Sequence, residues 1–162
     1  MRVIFWAAAA AFLIDQTSKY VVIHLLELWR IRAIDVMPPI LNFRYGENRG
    51  INFGLGTGVS VWVLIGIALV ICFAVLLWAS RQRLSPIAKV CAGLLVGGAL
   101  GNVLDRLVYG YVLDFLNMSC CGIQNPFVFN VADVFIFAGA IGLIFLVDDQ
   151  GTGAGRRGKK PE

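Results

Sequence analysis

Residues Val59–Ala79, VSVWVLIGIALVICFAVLLWA, contain no charged side chain. Wound as a helix, that run is about 30 Å long, the thickness of a bilayer's hydrocarbon core. It therefore predicts a membrane span. Ile87–Leu104 is apolar and glycine-rich, with Lys89 near one end, and Val131–Val147 is interrupted only by Asp133. Val3–Leu26 is apolar at both ends around a polar centre, Asp15-Gln16-Thr17-Ser18-Lys19-Tyr20. The reading is an all-α membrane protein with four transmembrane helices. Only 15% of the residues are charged, against about 25% for a water-facing domain. The glycines from Gly93 to Gly101 suit close helix packing. An alternative for the first segment is a cleaved signal peptide, since Arg2 precedes an apolar stretch holding the five alanines Ala7–Ala11.

Basic residues set the expected orientation. Arg2, the group Arg81, Arg83 and Lys89, and the tail residues Arg156, Arg157, Lys159 and Lys160 all fall on one side of a four-span chain, which is then cytoplasmic. Arg30, Arg32, Arg44 and Arg49 in the segment 27–58 oppose this, partly offset by Glu27, Asp35 and Glu47. That segment is read as extracytoplasmic. Arg30–Val36 and Ile40–Tyr45 alternate like strands around Pro38-Pro39, so a small sheet lying on the membrane is expected. Residues 107–130 read as a loop on the same side, residues 1–150 as one domain, and the tail 151–162 as disordered. The net charge of +4 reflects topology and contact with anionic lipid. No basic helix or aromatic–basic platform suggests nucleic-acid binding. Cys72 and Cys91 lie within spans; Cys120 and Cys121 are free or bonded to another chain, because a bridge between neighbours is strained.

The polar residues within spans converge. Asp15 and Lys19 lie in the later part of the first helix, Asn102, Asp105 and Arg106 at the end of the third, and Asn130 and Asp133 at the start of the fourth. With alternating helix directions, all map to the outer half of the membrane. Asp114, in Val112-Leu113-Asp114-Phe115-Leu116, lies just beyond it. A carboxylate near lipid is costly and calls for a reason. Two that share a proton can activate a water and polarise a carbonyl. Structural readings stand beside this one. Asp15 and Lys19, spaced i,i+4, make a salt bridge. Asn102, Asp105 and Arg106 make a clamp that orients a loop. Asp133 and Asn130 cap a helix.

A single histidine, His24, rules out a His-rich metal site. No nucleophile elbow or phosphate-binding lysine loop is present. Two other classes accommodate the same residue types: a small four-span transporter using membrane carboxylates, and a non-enzymatic lipid-binding or assembly protein. The first prefers carboxylates near the midplane; the second leaves the pair of aspartates without a purpose.

Five blocks occur in order: Asp15-Gln16-Thr17-Ser18-Lys19; Asn48-Arg49-Gly50-Ile51-Asn52-Phe53-Gly54; Gly97-Gly98-Ala99-Leu100-Gly101-Asn102-Val103-Leu104-Asp105-Arg106; Val112-Leu113-Asp114-Phe115; and Phe129-Asn130-Val131-Ala132-Asp133. Together, over roughly residues 10–148, the chain resembles the lipoprotein signal peptidase (signal peptidase II) family. The resemblance implies four helices, a small extracytoplasmic β-cradle and a loop over the site. It implies an aspartic endopeptidase of the bacterial inner membrane that cuts prolipoproteins before a diacylglyceryl-modified cysteine, with Asp114 and Asp133 as the catalytic dyad. Asp15, Lys19, Asn48, Gly50, Asn102, Arg106, Asn130 and Ala132 fall on the family's other signature positions. The implied partners are prolipoproteins, membrane lipids and cyclic-peptide antibiotics. No metal or organic cofactor is implied, and a monomer is expected. Asn52 departs from the family's usual small apolar residue.

Overall fold

A computed structural model describes residues 1–50, 59–120 and 125–152. Asn52, Cys121 and the tail beyond Thr152, on which expectations were placed above, lie outside the described residues.

Helix α1 (Arg2–Lys19) continues into a wider π-helical turn, Tyr20–Leu25, where Leu26 N–H reaches back to the Val21 carbonyl at 2.9 Å. A short helical turn α2 (Leu28–Ile31) leads to strands β1 (Ala33–Met37) and β2 (Leu41–Asn48). Then come α3 (Val61–Arg81), α4 (Pro86–Tyr109), β3 (Val112–Asn117) and α5 (Val131–Thr152). The start of α4 follows from its sequence: Pro86 tolerates a first-turn position, and the Ser85 hydroxyl accepts from Ala88 N–H at 3.2 Å. Gly110, at φ 79°, ends it in the left-handed conformation that glycine adopts without penalty.

The three strands form an antiparallel sheet in the order β1-β2-β3. Two of them lie in the segment where a sheet was expected. The first expected strand began too early, because Leu28–Ile31 is helical, and the second runs on to Asn48. The third strand corrects the reading of 107–130 as loop: α4 runs on to Tyr109 and Asp114 lies on β3. Beyond β3 the chain turns back, and Phe129 exchanges backbone hydrogen bonds with Leu116 at 2.8 and 3.0 Å. An apolar cluster of Val22, Ile23, Leu28, Leu113 and Phe115 seats the sheet on the end of the bundle.

Helix α4 is central, packed against α1, α5 and α3. Its glycines permit this. A Cβ on Gly93 would stand 2.5 Å from that of Ala7, and one on Gly98 would stand 2.5 Å from the Ala132 carbonyl. A Cβ on Gly97 would collide with the backbone of Ala8 and stand 2.9 Å from the Ala11 Cβ. From α5, Gly139 approaches the Cys91 carbonyl in the same way. The alanine run and the glycine stripe are thus the two halves of one close contact. Gly97→Val is expected to force α1 off α4 and to cost about 1–3 kcal/mol, the usual penalty of overpacking. Gly66→Val is the control, since a Cβ there meets nothing within 4 Å. Thermal unfolding in detergent should separate the two variants.

The helices are apolar outside and polar inside at one end. Trp62, Val70 and Phe73 on α3, Phe145 on α5 and Trp6 on α1 are each about two-thirds exposed, whereas Asp15 and Asn130 are fully buried. A water-soluble domain buries the opposite set. Among the described residues, α3 and α4 are long and apolar enough to cross a membrane; the apolar part of α5, Val131–Leu146, is shorter. Helix α1 carries Asp15 and Lys19, both buried.

Candidate active site

The late part of α1, the late part of α4, the start of α5 and strand β3 meet where the sheet joins the bundle. Each delivers polar side chains, and these form one network. Asn130 precedes the first turn of α5 and caps it. Its side-chain oxygen accepts from Asp133 N–H at 2.9 Å, and Asp133 Oδ2 accepts from Asn130 N–H at 3.3 Å. This is a reciprocal capping box. The cap read from the sequence is therefore real, and it does not exhaust Asp133, whose Oδ1 accepts from Asn102 Nδ2 at 3.0 Å.

Asn130 also joins the two aspartates. Its Nδ2 donates to Asp114 Oδ1 at 2.6 Å and to Asn102 Oδ1 at 3.2 Å. Asp114 is 3% exposed and also accepts a hydrogen bond from the Asn48 side chain. Burial, and then the neighbouring charge of Asp133, push the Asp114 carboxyl up to about 7, against the pull of the Asn130 and Asn48 hydrogen bonds. Two carboxyls 19 positions apart in the chain thus share an electrostatic environment. Opposite Asp114 on β2 is Gly46, where a Cβ would stand 3.5 Å from the Asp114 Cβ.

Beneath the pair lies a buried cation. Lys19 Nζ is 2.8 Å from Asp15 Oδ2, 2.7 Å from Asp105 Oδ2 and 3.3 Å from Asn102 Oδ1. Its three donors are all engaged. The Asp15–Lys19 pair matches the i,i+4 expectation. Asp105 does not join a clamp with Arg106; it serves Lys19 and accepts from Leu113 N–H at 3.1 Å. Arg106 instead donates to the Gly50 carbonyl at 2.9 Å, and its charge acts on Asp133 and Asp114. Gly50 N–H donates to Asn48 Oδ1 at 3.2 Å. Ala132 N–H donates to Asp15 Oδ1 at 2.8 Å, fastening α5 to α1. All ten residues singled out from the sequence therefore belong to one linked set. Gln16 was overlooked: its Nε2 reaches Asp15 Oδ2 at 3.0 Å and Asp105 Oδ1 at 3.1 Å. Its place beside Asp15 in the first block was the available signal.

Among the described residues, no group of three or more His, Cys, Asp or Glu side chains is disposed to hold a metal ion. Cys72 and Cys91 are free, and Cys120 is disulfide-bonded.

Known proteins share this arrangement of sequence and fold. Residues 7–147 match the family model described as signal peptidase (SPase) II. The chain is 41% identical over 143 residues to a lipoprotein signal peptidase of Alteromonas mediterranea, covering 86% of this chain and 76% of that one. It is 33% identical over 157 residues to one of Sphingopyxis alaskensis, covering 95% and 90%. Two solved structures, each described as a bacterial membrane enzyme, share the fold. One has a TM-score of 0.81 at 24% identity, covering 100% of this chain and 96% of that one. The other has a TM-score of 0.76 at 25% identity, covering 91% and 93%. With the match running through nearly all of the helices and strands that build the buried carboxylate network, the chain belongs to the signal peptidase II family.

Proposed function

We propose that the chain is an aspartic endopeptidase that removes signal peptides from bacterial prolipoproteins, cutting immediately before a diacylglyceryl-modified cysteine, and that Asp114 and Asp133 are its catalytic pair. The observation that carries the reading is their convergence: two buried carboxyls on different elements, joined through Asn130, one of them holding its proton to near neutrality. Membership of the signal peptidase II family supports the substrate class.

In this scheme one carboxylate takes a proton from a water lying between the pair, while the protonated partner donates to the scissile carbonyl. The water's oxygen bonds to the carbonyl carbon and gives a tetrahedral diol. Return of a proton to the amide nitrogen then breaks the C–N bond. Lys19, Asp15 and Asp105 act from below: they fix Asn102, which orients Asp133. Arg106 holds the loop backbone at Gly50 and offsets negative charge beside the pair. Asn48 braces Asp114 from the sheet.

The chain is placed in the bacterial inner membrane with four spans and both termini cytoplasmic. α3 and α4 support this by length and composition, and α1 with its π-helical extension and α5 supply the other two spans. The polar network then lies at the outer leaflet, where a diacylated cysteine keeps its acyl chains in lipid. A cyclic-peptide antibiotic of the kind that blocks the family occupies the same site.

The test is purified protein with a diacylated peptide spanning the cleavage sequence. Cleavage before the modified cysteine is expected, and intact peptide under conditions where a known signal peptidase II cleaves it would overturn the proposal. The pH profile has a defined sign. Asp114, raised to about 7, keeps its proton below that value and loses it above. The pair titrates as a unit, and its productive state holds one proton. Turnover should therefore fall as pH rises through about 7, approaching tenfold per pH unit. A rate flat from pH 6 to 9 would count against the pair.

A further inference from the structure

A pocket of about 440 Å³ opens on the sheet away from the catalytic pair, lined by Asp35, Asn42, Arg44, Asn117, Ser119 and Asn125 together with three prolines and a valine. Its size falls within the range of ligand sites. Asp35, Asn42 and Asn117 are register partners across the three strands, so they form one row. The row is braced. Asn117 Nδ2 donates to the Asn125 and Phe127 carbonyls, each at 2.8 Å, and Arg44 Nη2 is 2.6 Å from Asp35 Oδ1 at the mouth. One atom is left over. Asn42 is 7% exposed, its Nδ2 donates to the Pro39 carbonyl at 3.3 Å, and its Oδ1 has no hydrogen-bond partner. The Pro39 carbonyl can only accept, which fixes the amide's orientation and leaves the oxygen as the orphan. A buried acceptor without a donor costs about 1–3 kcal/mol, so the fold holds it for something that brings an N–H.

We propose that this pocket binds the polar, extended stretch of the lipoprotein chain that follows the lipidated cysteine, with a backbone N–H of that stretch donated to Asn42 Oδ1. The inference rests on the peptidase reading above. Asn117 lies three residues along β3 from Asp114, which is about 10 Å at strand spacing. An extended substrate with its cysteine at the catalytic pair reaches that far with its third or fourth residue past the cut. Arg44 at the mouth suits a peptide carbonyl and Asn42 an amide N–H, the two groups that alternate along a backbone. The six polar side chains in its wall make it a poor fit for an acyl chain. With one carboxylate, no histidine and no thiol among its lining residues, it does not suit a metal ion.

The experiment compares two diacylated substrates with identical signal sequences, one ending at the cysteine amide and one carrying five further polar residues. The longer one is expected to show a KM about tenfold lower at similar kcat. Asn42→Leu should abolish that advantage while cleaving the short substrate as the wild type does, which also shows that the variant is folded. N-methylation of the amide at the second or third position of the extension should remove the advantage in the wild type and change nothing in Asn42→Leu. Equal KM for both substrates in the wild type, or a length advantage that survives Asn42→Leu, overturns the pocket and leaves the peptidase standing. Cleavage of neither substrate overturns both.

Discussion

Asp114→Asn and Asp133→Asn should each lower the cleavage rate by at least about a thousandfold, as expected when two groups act as a unit, yet move stability in opposite directions. Asp114 is buried with a raised pKa, so its folded form resists ionisation. The unfolded chain releases that proton near pH 3.8, the folded one near 7. Stability from this group is therefore whole below about pH 4 and is lost as pH rises to about 7. The difference is roughly 3 pH units, about 4 kcal/mol. An amide keeps an oxygen for Asn130 Nδ2 and cannot ionise. Asp114→Asn should accordingly unfold at a higher temperature than the wild type at pH 8, with the gain vanishing near pH 4. Asp114 also accepts from the Asn48 side chain; Asp133 differs in that its two donors are held in place, one the backbone N–H of Asn130 and the other Asn102 Nδ2, whose own Oδ1 is engaged by Lys19 and Asn130. An amide there turns a donor against one of these two donors, at a cost of about 1–3 kcal/mol. Scanning calorimetry at two pH values, with rates from the same preparations, checks both halves. Two variants that shift equally would mean that the carboxyls do not occupy different environments.

Lys19→Met should be the most destabilising single change in the bundle. Lys19 stands between Asp15 and Asp105, with all three side chains at most 3% exposed. Removing the cation leaves two carboxylates facing one another without a partner, which costs about 3–5 kcal/mol. For a chain of this size that is roughly 10 °C or more in Tm. The charge pattern permits a rescue. Adding Asp15→Asn removes one orphaned charge while retaining an acceptor for Ala132 N–H. The double variant should therefore be more stable than Lys19→Met alone, giving a coupling of about 1–3 kcal/mol. Purely additive losses would show that Lys19 contributes by filling space.

Much of this was legible in the chain, and the reasons differ by element. α3 and α4 announce themselves because long runs with few or no charges have few alternatives to a spanning helix. Asp15 and Lys19 could be paired from helical spacing alone. Asn130 and Asp133 show a cap signature three residues apart, and the cap is there. Strand β3 was hidden because Val112-Leu113-Asp114-Phe115-Leu116 is apolar around one charge rather than alternating, and it is buried along nearly its whole length between β2 and the returning chain. No hairpin turn marks it, since its partner β2 lies far back in the sequence. Asp105 misled because Arg106 follows it directly; adjacent residues on a helix point in different directions, and the buried lysine of another helix was the nearer cation. The pocket around Asn42 carries no sequence signature, because its wall is assembled from three strands and a turn.

The glycine and alanine contacts along α1, α4 and α5 have one more consequence. Where helices meet backbone to backbone, no long side chain remains between them to change rotamer, and their separation is set by hard contact. A thicker or thinner bilayer can tilt such a trio as a body, but it has little purchase for prising the members apart. The charged groups that α1, α4 and α5 contribute therefore keep their mutual spacing, and the field at Asp133 stays constant while the surrounding lipid varies.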